Sequence, residues 1–282
     1  MKEKIDLHTH TTASDGLYSP RELIDYAVSK NLLALAITDH DTIDGLKNGM
    51  EYAKNIDFKL IPGIELSIDY SGGTFHLLGL DVDIEHPDLL KIIEEQKKNR
   101  NDRGGKIVAD LANQGIFMHI DEVRDEALGA VICKAHIARV MVKKNYCKDI
   151  DEVFQNYMKK GKPGYVKKEK ISLHNAISVI KKSGGIPILA HPLSLKFETF
   201  IDFEKMLQGY IKIGMEGLEV FSSYHNEEEI DEFNRLALKY DLLISGGSDF
   251  HGDEEKEIGV YSKDKYILIE KLNIMKKIIK IN

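Results

Sequence analysis

Residues 5–16 read IDLHTHTTASDG and combine a short apolar strand pattern with two histidines, His8 and His10. Alternate residues of an extended chain point to the same side, so both imidazoles can face one point. Asp15 follows in a Ser-Asp-Gly turn, five residues after His10. A His-x-His pair alone does not define a metal site, so its interpretation depends on what the rest of the chain supplies.

The composition is that of a soluble globular protein, with 43% hydrophobic, 30% charged and 8% aromatic residues among 282. The first residues lack the apolar segment of a secretory signal, and apolar runs such as LLALAI are too short to span a bilayer. The two cysteines, Cys133 and Cys147, cannot form a disulfide framework. We therefore expect a cytoplasmic protein without membrane contact, and no stable protein partner is predicted.

Seven short apolar runs predict strands: 5–8, 33–38, 58–65, 75–82, 186–191, 217–221 and 242–245. Several are almost continuously apolar, which is typical of strands buried on both faces. Helical patterns lie between most of them, at 19–31, 173–185 and 227–241. The first of these opens with Ser19, Pro20 and Glu22, a capping-box pattern. Repeated βα units predict an α/β fold with a parallel sheet or barrel.

Residues 98–167 show helical patterns without a convincing strand, and we interpret them as an insertion domain in a barrel formed by 1–97 and 168–282. The segment 97–168 holds 16 Lys and Arg against 9 Asp and Glu, a net charge of +7, so the remainder carries -14. A basic segment on an acidic body suggests a specific anionic partner. An ordinary charged helical surface explains the charge alone equally well.

Imidazole and carboxylate side chains gather near the ends of the predicted strands, where a parallel barrel places its catalytic residues. Six of the eleven histidines and three carboxylates lie there, a ligand mixture that suits Zn, Mn or Fe. Nine candidate ligands suit two or three divalent ions. Three ions (+6) with three carboxylates (-3) leave +3, which favours a phosphate dianion, whereas two ions leave only +1.

The motifs DLHTHTTASDG, ITDHDT, GIEL, FHLLG, AHP and GGSDFHG resemble, in order, those of PHP-domain (polymerase and histidinol phosphatase) metal-dependent phosphoesterases. The resemblance implies a distorted seven-stranded (β/α)7 barrel with a helical insertion and a trinuclear site. It implies these ligands: His8, His10, Asp15, His40, Glu65, His76, His191, Asp249 and His251. Four of them are also expected to act at the reacting centre: Asp15, Glu65, His191 and Asp249. Glu65 is the expected bridge, because a carboxylate offers two oxygens.

Within the family, KAHIARVMV, GKPGYV and GLEVFSSYH resemble stand-alone members that remove the 3'-phosphate of nucleoside 3',5'-bisphosphates or trim short oligonucleotides from the 5' end. The resemblance implies two substrate-phosphate contacts, His136 and Arg139, and we expect Lys134 beside them. Ser222 and His225 follow the sixth strand and are expected to bind substrate by lining the pocket. Four of these residues have an alternative role: His136 as a metal ligand, Arg139 in a surface ion pair, and Ser222 and His225 in a loop. Lys134 departs from the Arg more common at its position, which changes the phosphate contacts expected there.

The expected function is thus hydrolysis of a phosphomonoester of a small nucleotide, with two or three divalent ions (Mn, Fe or Zn) as cofactors. The alternatives are a 5'-3' exonuclease on short oligonucleotides, a histidinol-phosphatase-like enzyme and an amidohydrolase-type barrel. The last also begins with His-x-His but does not predict the Asp249–His251 pair. A non-catalytic module that binds nucleic acid is a further alternative, although every ligand position is filled.

Overall fold

Seven strands form one sheet in chain order, as the sequence predicts. The computed structural model describes residues 3–127, 131–167, 169–252 and 256–278. The strands are β1 (Lys4–Asp6), β2 (Leu32–Ile37), β3 (Lys59–Ser67), β4 (His76–Leu80), β5 (Ile186–Leu189), β6 (Gly217–Ser222) and β7 (Leu243–Gly247). The predicted ranges 1–97 and 168–282 include residues 1–2, 168, 253–255 and 279–282, which lie outside the described residues.

The fourth strand runs opposite to its neighbours, which corrects the expectation of a uniformly parallel sheet. β4 pairs antiparallel with both β3 and β5, while the other neighbouring strands pair in parallel. Residues 68–75 join β3 to β4 directly, and two strands joined without a crossover must run antiparallel. His76, the first residue of β4, therefore lies opposite Ser67, at the end where the parallel strands finish.

The sheet closes on itself where the chain following β7 meets the chain following β1. The amide of Leu7 donates to the Gly246 carbonyl (3.2 Å), and that of Asp249 donates to the His8 carbonyl (2.9 Å). A third bond joins the amide of His10 to the Phe250 carbonyl (2.9 Å). The predicted seven-stranded barrel is confirmed, and closure brings the His8–His10 and Asp249–His251 pairs side by side.

The helices follow the local signals of the sequence. The barrel helices are α1 (Pro20–Ser29), α2 (Asp44–Asn55), α7 (Leu173–Lys182), α8 (Phe200–Ile213), α9 (Glu227–Lys239) and α10 (Ile274–Ile278). Ser19 and Glu22 form the predicted capping box of α1, with Pro20 in its first turn. A small hairpin, β8 (Val260–Ser262) and β9 (Lys265–Tyr266), precedes α10. Within the described ranges, no helix combines the length and hydropathy that a membrane span requires.

The basic segment is helical. It contains the second half of α3 (Pro87–Ala112), then α4 (Ile120–Glu126), α5 (Lys134–Lys143), and α6 (Ile150–Val153), which continues as a π-helical turn over Phe154–Met158. Leu89 and Ile93 of α3 pack into the barrel core, whereas Ile107 and Leu111 belong to a second hydrophobic cluster. One helix thus runs through the proposed boundary at residue 98, and the division into two domains stays a prediction.

Barrel closure leaves no room for a side chain at position 247. A Cβ on Gly247 would stand 2.1 Å from the Cβ of His8 and 2.7 Å from its amide nitrogen. We expect Gly247→Ala to lower the free energy of unfolding by about 3 kcal/mol, because strand β7 must move away from the chain after β1. Thermal denaturation followed by circular dichroism measures this change.

The matched control is Gly105→Ala in α3, where an added Cβ would meet nothing within 4 Å. We expect this variant to be stabilised by up to about 1 kcal/mol, since alanine favours the helix. Equal melting temperatures for the two variants would contradict the tight closure.

Candidate metal centre

Glu65 lies at the centre of the predicted ligands. The carboxylate is fully buried near the end of β3. Its two oxygens lie 2.8–3.3 Å from ring nitrogens of five histidines: His8, His10, His40, His76 and His191. Oε1 faces the side of His76 and His191, and Oε2 faces the side of His10 and His40. This division suits a carboxylate that bridges two ions.

The remaining ligand candidates surround Glu65 in overlapping groups. Three sets of side chains each bring their ligand atoms within 4.8 Å of one another: His10, Asp15, His40 and His251; His8, His10, Glu65 and Asp249; and His40, Glu65 and His76. His191 lies beside the third set, with Nε2 3.3 Å from Nδ1 of His76. The structure therefore brings all nine predicted ligands into one cluster.

Buried polar atoms without hydrogen-bond partners test whether this cluster fits metal ions. Among the described residues, unpartnered atoms in the cluster are Nε2 of His8, both ring nitrogens of His10, Oδ1 of Asp15, Nδ1 of His40 and Oε2 of Glu65. Such groups destabilise a fold unless something satisfies them. Divalent cations would do so, and imidazole with carboxylate suits Mn, Fe or Zn. The residues thus fit metal ions.

A buried glutamate fixes the tautomer of His8. Nδ1 of His8 lies 3.0 Å from Oε1 of Glu219, and an ionised carboxylate can only accept, so Nδ1 carries the proton. In the neutral ring, Nε2 is then a lone pair, and it faces Glu65 (3.3 Å) and Asp249 (3.2 Å). The other oxygen of Glu219 accepts from the His191 amide (2.6 Å). Glu219 therefore orients two predicted ligands at once.

Two further histidines are oriented in the same way. The Ser194 hydroxyl donates to the Thr74 carbonyl (2.8 Å), so it accepts from Nδ1 of His191 (2.9 Å). Nδ1 of His251 donates to the Asp249 carbonyl (2.9 Å). When neutral, both rings present Nε2 to the cluster. Burial would lower the pKa of each ring, but neighbouring carboxylates raise the pKa of His191 and bring that of His251 to about 9, so a cation binding there would displace a proton.

The protonation preferences of several groups also suit cation binding. Burial would raise the pKa of Glu65, Asp249 and Asp15, but the surrounding histidines hold the pKa of each well below its ordinary value. Burial, together with neighbouring histidines, lowers the pKa of His10 to about 3. Burial also lowers the pKa of His76 to about 4, despite Glu65. These residues thus offer carboxylates and neutral imidazoles near neutral pH.

Three polar residues follow β2, namely Asp39, His40 and Asp41, and of these only His40 faces the cluster. Asp39 instead accepts hydrogen bonds from the backbone and hydroxyl of Thr11 (2.8 and 2.6 Å) and from the Ser14 hydroxyl (2.6 Å). It thereby holds the loop that carries Asp15. Asp41 accepts from the Ser67 amide (2.9 Å), next to the end of β3. The flanking aspartates therefore support the ligand-bearing loops.

A cavity of about 500 Å³ opens beside the cluster. Its walls include these residues: His40, Thr74, His76, His191, Leu193, Ser194, Tyr224, Asp249 and His251. Ser222 and His225, predicted as pocket-lining residues, do not line it. His225 is buried, since its Nδ1 donates to the Val220 carbonyl (2.9 Å) and its ring packs 4.7 Å from that of Phe233. Tyr224, which lies between them, forms the wall instead.

The insertion contacts the cluster through α5. Nη2 of Arg139 donates to the Asp15 carbonyl (3.0 Å). His136 is buried, and its Nδ1 accepts from the Cys133 amide at the start of α5 (3.2 Å). Lys134 donates to the Met158 carbonyl (2.6 Å), and burial lowers its pKa to about 8. Arg139 is thus the predicted substrate contact that the structure joins directly to a ligand-bearing loop.

The sequence interpretation did not identify the residues that support the cluster: Glu219, Tyr224, Lys256 and Arg100. A signal existed for Glu219, since an acidic residue inside the apolar strand GLEVF is buried only when it has partners. Tyr224 contacts Asp249 from a loop that is distant in the sequence. Lys256 contacts it from the segment that follows Asp249. No spacing in the sequence predicts such contacts, because they arise only from the tertiary fold.

Replacing Glu219 with glutamine tests its role. The amide has no net charge and can donate, so it no longer fixes the proton on Nδ1 of His8. We expect Glu219→Gln to bind Mn²⁺ about 10–100-fold more weakly, measured by isothermal titration calorimetry on protein stripped with chelator. Glu51→Gln, at an exposed position of α2, is the control and should bind as wild type does. Equal affinity in the two variants would refute the orienting role.

Comparison with known proteins places the chain in a family. The PHP domain matches residues 6–167, more than half of the chain. A 5'-3' exoribonuclease of Haemophilus influenzae is 35% identical over 251 residues, covering 89% of this chain and 91% of that protein. A 3',5'-nucleoside bisphosphate phosphatase of Chromobacterium violaceum is 32% identical over 258 residues, covering 90% of each.

A solved structure supports the fold. A protein from Bifidobacterium adolescentis, provisionally described as a metal-dependent phosphoesterase, superposes with a TM-score of 0.86. The alignment covers 99% of this chain and 96% of that one, at 24% identity. The family resemblance seen in the sequence is confirmed, and with it the prediction of an enzyme that hydrolyses phosphoric esters. The chain belongs to the PHP domain family.

Proposed function

We propose that this protein removes the 3'-phosphate from nucleoside 3',5'-bisphosphates, with two or three Mn, Fe or Zn ions held by the nine clustered residues. The Chromobacterium violaceum relative, whose name states this activity, matches along 90% of both chains. The substrate carries two phosphates. It therefore requires a cationic cluster for the reacting phosphate and a second basic surface nearby for the other.

The observation that carries the proposal is the contact of Arg139 with the backbone of Asp15. It places the basic insertion directly against the cluster. Across the described ranges, no carboxylate oxygen lies within 4 Å of this guanidinium, so the alternative of a surface ion pair finds no partner. An arginine without an acidic partner beside a metal cluster is well suited to bind phosphate oxygens through two parallel bonds.

The geometry of His136 favours phosphate over metal as its ligand. Because Nδ1 accepts the Cys133 amide proton, the neutral ring carries its own proton on Nε2. Burial and the nearby Arg139 lower the pKa of His136, which favours this neutral form. A ring that accepts at Nδ1 and donates at Nε2 can bind a phosphate oxygen but offers no second lone pair to a cation. His136 would thus act beside Arg139 on the substrate.

The proposed mechanism assigns the phosphate to Arg139 and the ions to the cluster. Bound divalent ions would polarise the phosphoryl group and lower the pKa of water. Asp15, Glu65, His191 and Asp249 would hold those ions at the reacting centre. Arg139 would neutralise charge on the phosphoryl oxygens and orient the group for in-line attack. Lys134 stays a predicted substrate contact.

A 5'-3' exonuclease that acts on short oligonucleotides is the second candidate. The Haemophilus influenzae exoribonuclease is 35% identical, slightly more than the phosphatase. Both activities need the same cluster and the same basic insertion, because each substrate presents one phosphate ester to be cleaved and a further phosphate to be bound. The two candidates therefore differ in the phosphate that is cleaved, which is a monoester in the bisphosphate and a diester to the next nucleotide in the oligonucleotide.

A product-resolved assay separates these functions. Mn²⁺-loaded enzyme is offered adenosine 3',5'-bisphosphate, a 5'-phosphorylated trinucleotide, histidinol phosphate and an N-acyl amine. We expect phosphate release and adenosine 5'-monophosphate from the first substrate at the highest kcat/KM. Mononucleotides from the trinucleotide at a higher kcat/KM would favour the exonuclease. Amide hydrolysis without phosphate release would favour the amidohydrolase alternative, and no turnover at all would contradict every enzymatic proposal.

Removing the guanidinium tests the observation on which the proposal rests. We expect Arg139→Ala to lower kcat/KM for adenosine 3',5'-bisphosphate about 10–100-fold, because a charge-assisted phosphate contact contributes roughly 1.5–3 kcal/mol. Arg124→Ala is the control, since Arg124 is exposed on α4 and pairs with Asp121 (2.6 Å). A wild-type rate in Arg139→Ala would remove Arg139 from the mechanism.

A further inference from the structure

Asp249 has an unusual conformation that other residues must maintain. Its φ of 53° lies in the left-handed region, which residues other than glycine adopt only at a cost in conformational energy. In this conformation Oδ1 points at Nε2 of His8 (3.2 Å) and of His10 (3.0 Å). The second oxygen, Oδ2, points the other way. Whether one or both oxygens face the cluster therefore depends on what holds Oδ2.

Tyr224 and Lys256 both bind that outer oxygen. The Tyr224 hydroxyl donates to Oδ2 of Asp249 (2.7 Å), and the Lys256 ammonium donates to the same atom (3.1 Å). Lys256 also donates to the Asp249 carbonyl (3.1 Å) and to the Tyr224 hydroxyl (2.8 Å), and lies 4.0 Å from the ring centroid. The hydroxyl has one proton, so the bond from Lys256 directs that proton to Asp249.

The segment that carries Tyr224 is hydrogen-bonded to the backbone next to Asp249. The Ser223 hydroxyl donates to the Ser248 carbonyl (2.7 Å), the residue before Asp249. Tyr224 itself is about half exposed and lines the cavity, so packing alone does not fix its ring. The hydrogen bonds of Tyr224 to Asp249 and Lys256, together with the bond from Ser223 to the backbone, set the position of the Tyr224 ring.

We propose that Tyr224, oriented by Lys256, is a positioning residue that holds Asp249 as a one-oxygen ligand of the metal cluster. The bonds at Oδ2 keep the carboxylate from rotating and leave Oδ1 alone for the site shared with His8 and His10. This inference rests on the metal cluster of the proposed function and adds two residues that act on it from outside.

The primary test is Tyr224→Phe, which removes one hydroxyl and no charge. We expect Mn²⁺ to bind about tenfold more weakly in calorimetry without substrate, while the melting temperature of the metal-free protein changes no more than in the control. That control is Tyr240→Phe, whose hydroxyl donates to the carboxylate of Glu204 away from the cluster. An Mn²⁺ affinity within twofold of wild type would overturn the proposal.

The double variant tests the part played by Lys256. If the ammonium orients the hydroxyl, Tyr224→Phe should weaken Mn²⁺ binding less than threefold in a Lys256→Gln background. A full tenfold effect there would refute the orienting role of Lys256. If the wild type binds no Mn²⁺, the proposed function fails instead, which distinguishes the two failures.

If Tyr224→Phe does not fold, the Mn²⁺ affinity of Lys256→Gln tests the proposal by itself. The control is Lys263→Gln, in the exposed turn between β8 and β9. Removing a positive charge by itself strengthens cation binding. A weaker Mn²⁺ affinity in Lys256→Gln would therefore support positioning, and an equal or higher affinity would overturn it.

Discussion

Closure of the barrel between the chain after β1 and the chain after β7 is the constraint on which the site depends. Two of the three backbone bonds that close the sheet involve predicted metal ligands, namely His8, His10 and Asp249. The cluster therefore cannot be assembled without completing the sheet. Gly247 makes this possible, because only a residue without a side chain allows β7 to approach His8 so closely. Folding and assembly of the site are in this sense one event.

A buried ion pair connects the same cluster to the insertion. Arg100 of α3 binds Oδ2 of Asp41 through two nitrogens (2.7 and 2.6 Å), and its third nitrogen contacts the Cys133 sulfur (3.1 Å). Asp41 follows the ligand His40, and Cys133 precedes the helix that carries Arg139. Both side chains are buried, so breaking the pair would leave a buried charge without compensation. It therefore fixes the insertion helix relative to the predicted metal ligands and, with it, the position of the predicted substrate contact Arg139.

Sequence patterns predicted every strand of the barrel within about two residues, because continuous apolar runs between helices are a strong signal. They also predicted the nine clustered side chains, since parallel strands end at one edge. The direction of β4 was not predicted, although the missing helix between Glu65 and His76 was the available clue. Glu219, Tyr224 and Lys256 were missed for another reason: each acts on a ligand distant in sequence or across a loop, through a contact that only the folded chain creates.

Left-handed backbone at the strand ends explains why the supporting residues are needed. Asp41, His191 and Asp249 follow β2, β5 and β7, and all three have positive φ angles. Each such residue costs about 1–3 kcal/mol, so the conformations persist only where hydrogen bonds over-determine them. Arg100 supplies these bonds to Asp41, Glu219 to His191, and Lys256 to Asp249. These three charged side chains thus stabilise a backbone that turns the chain sharply at the mouth of the barrel and directs the predicted ligands inward.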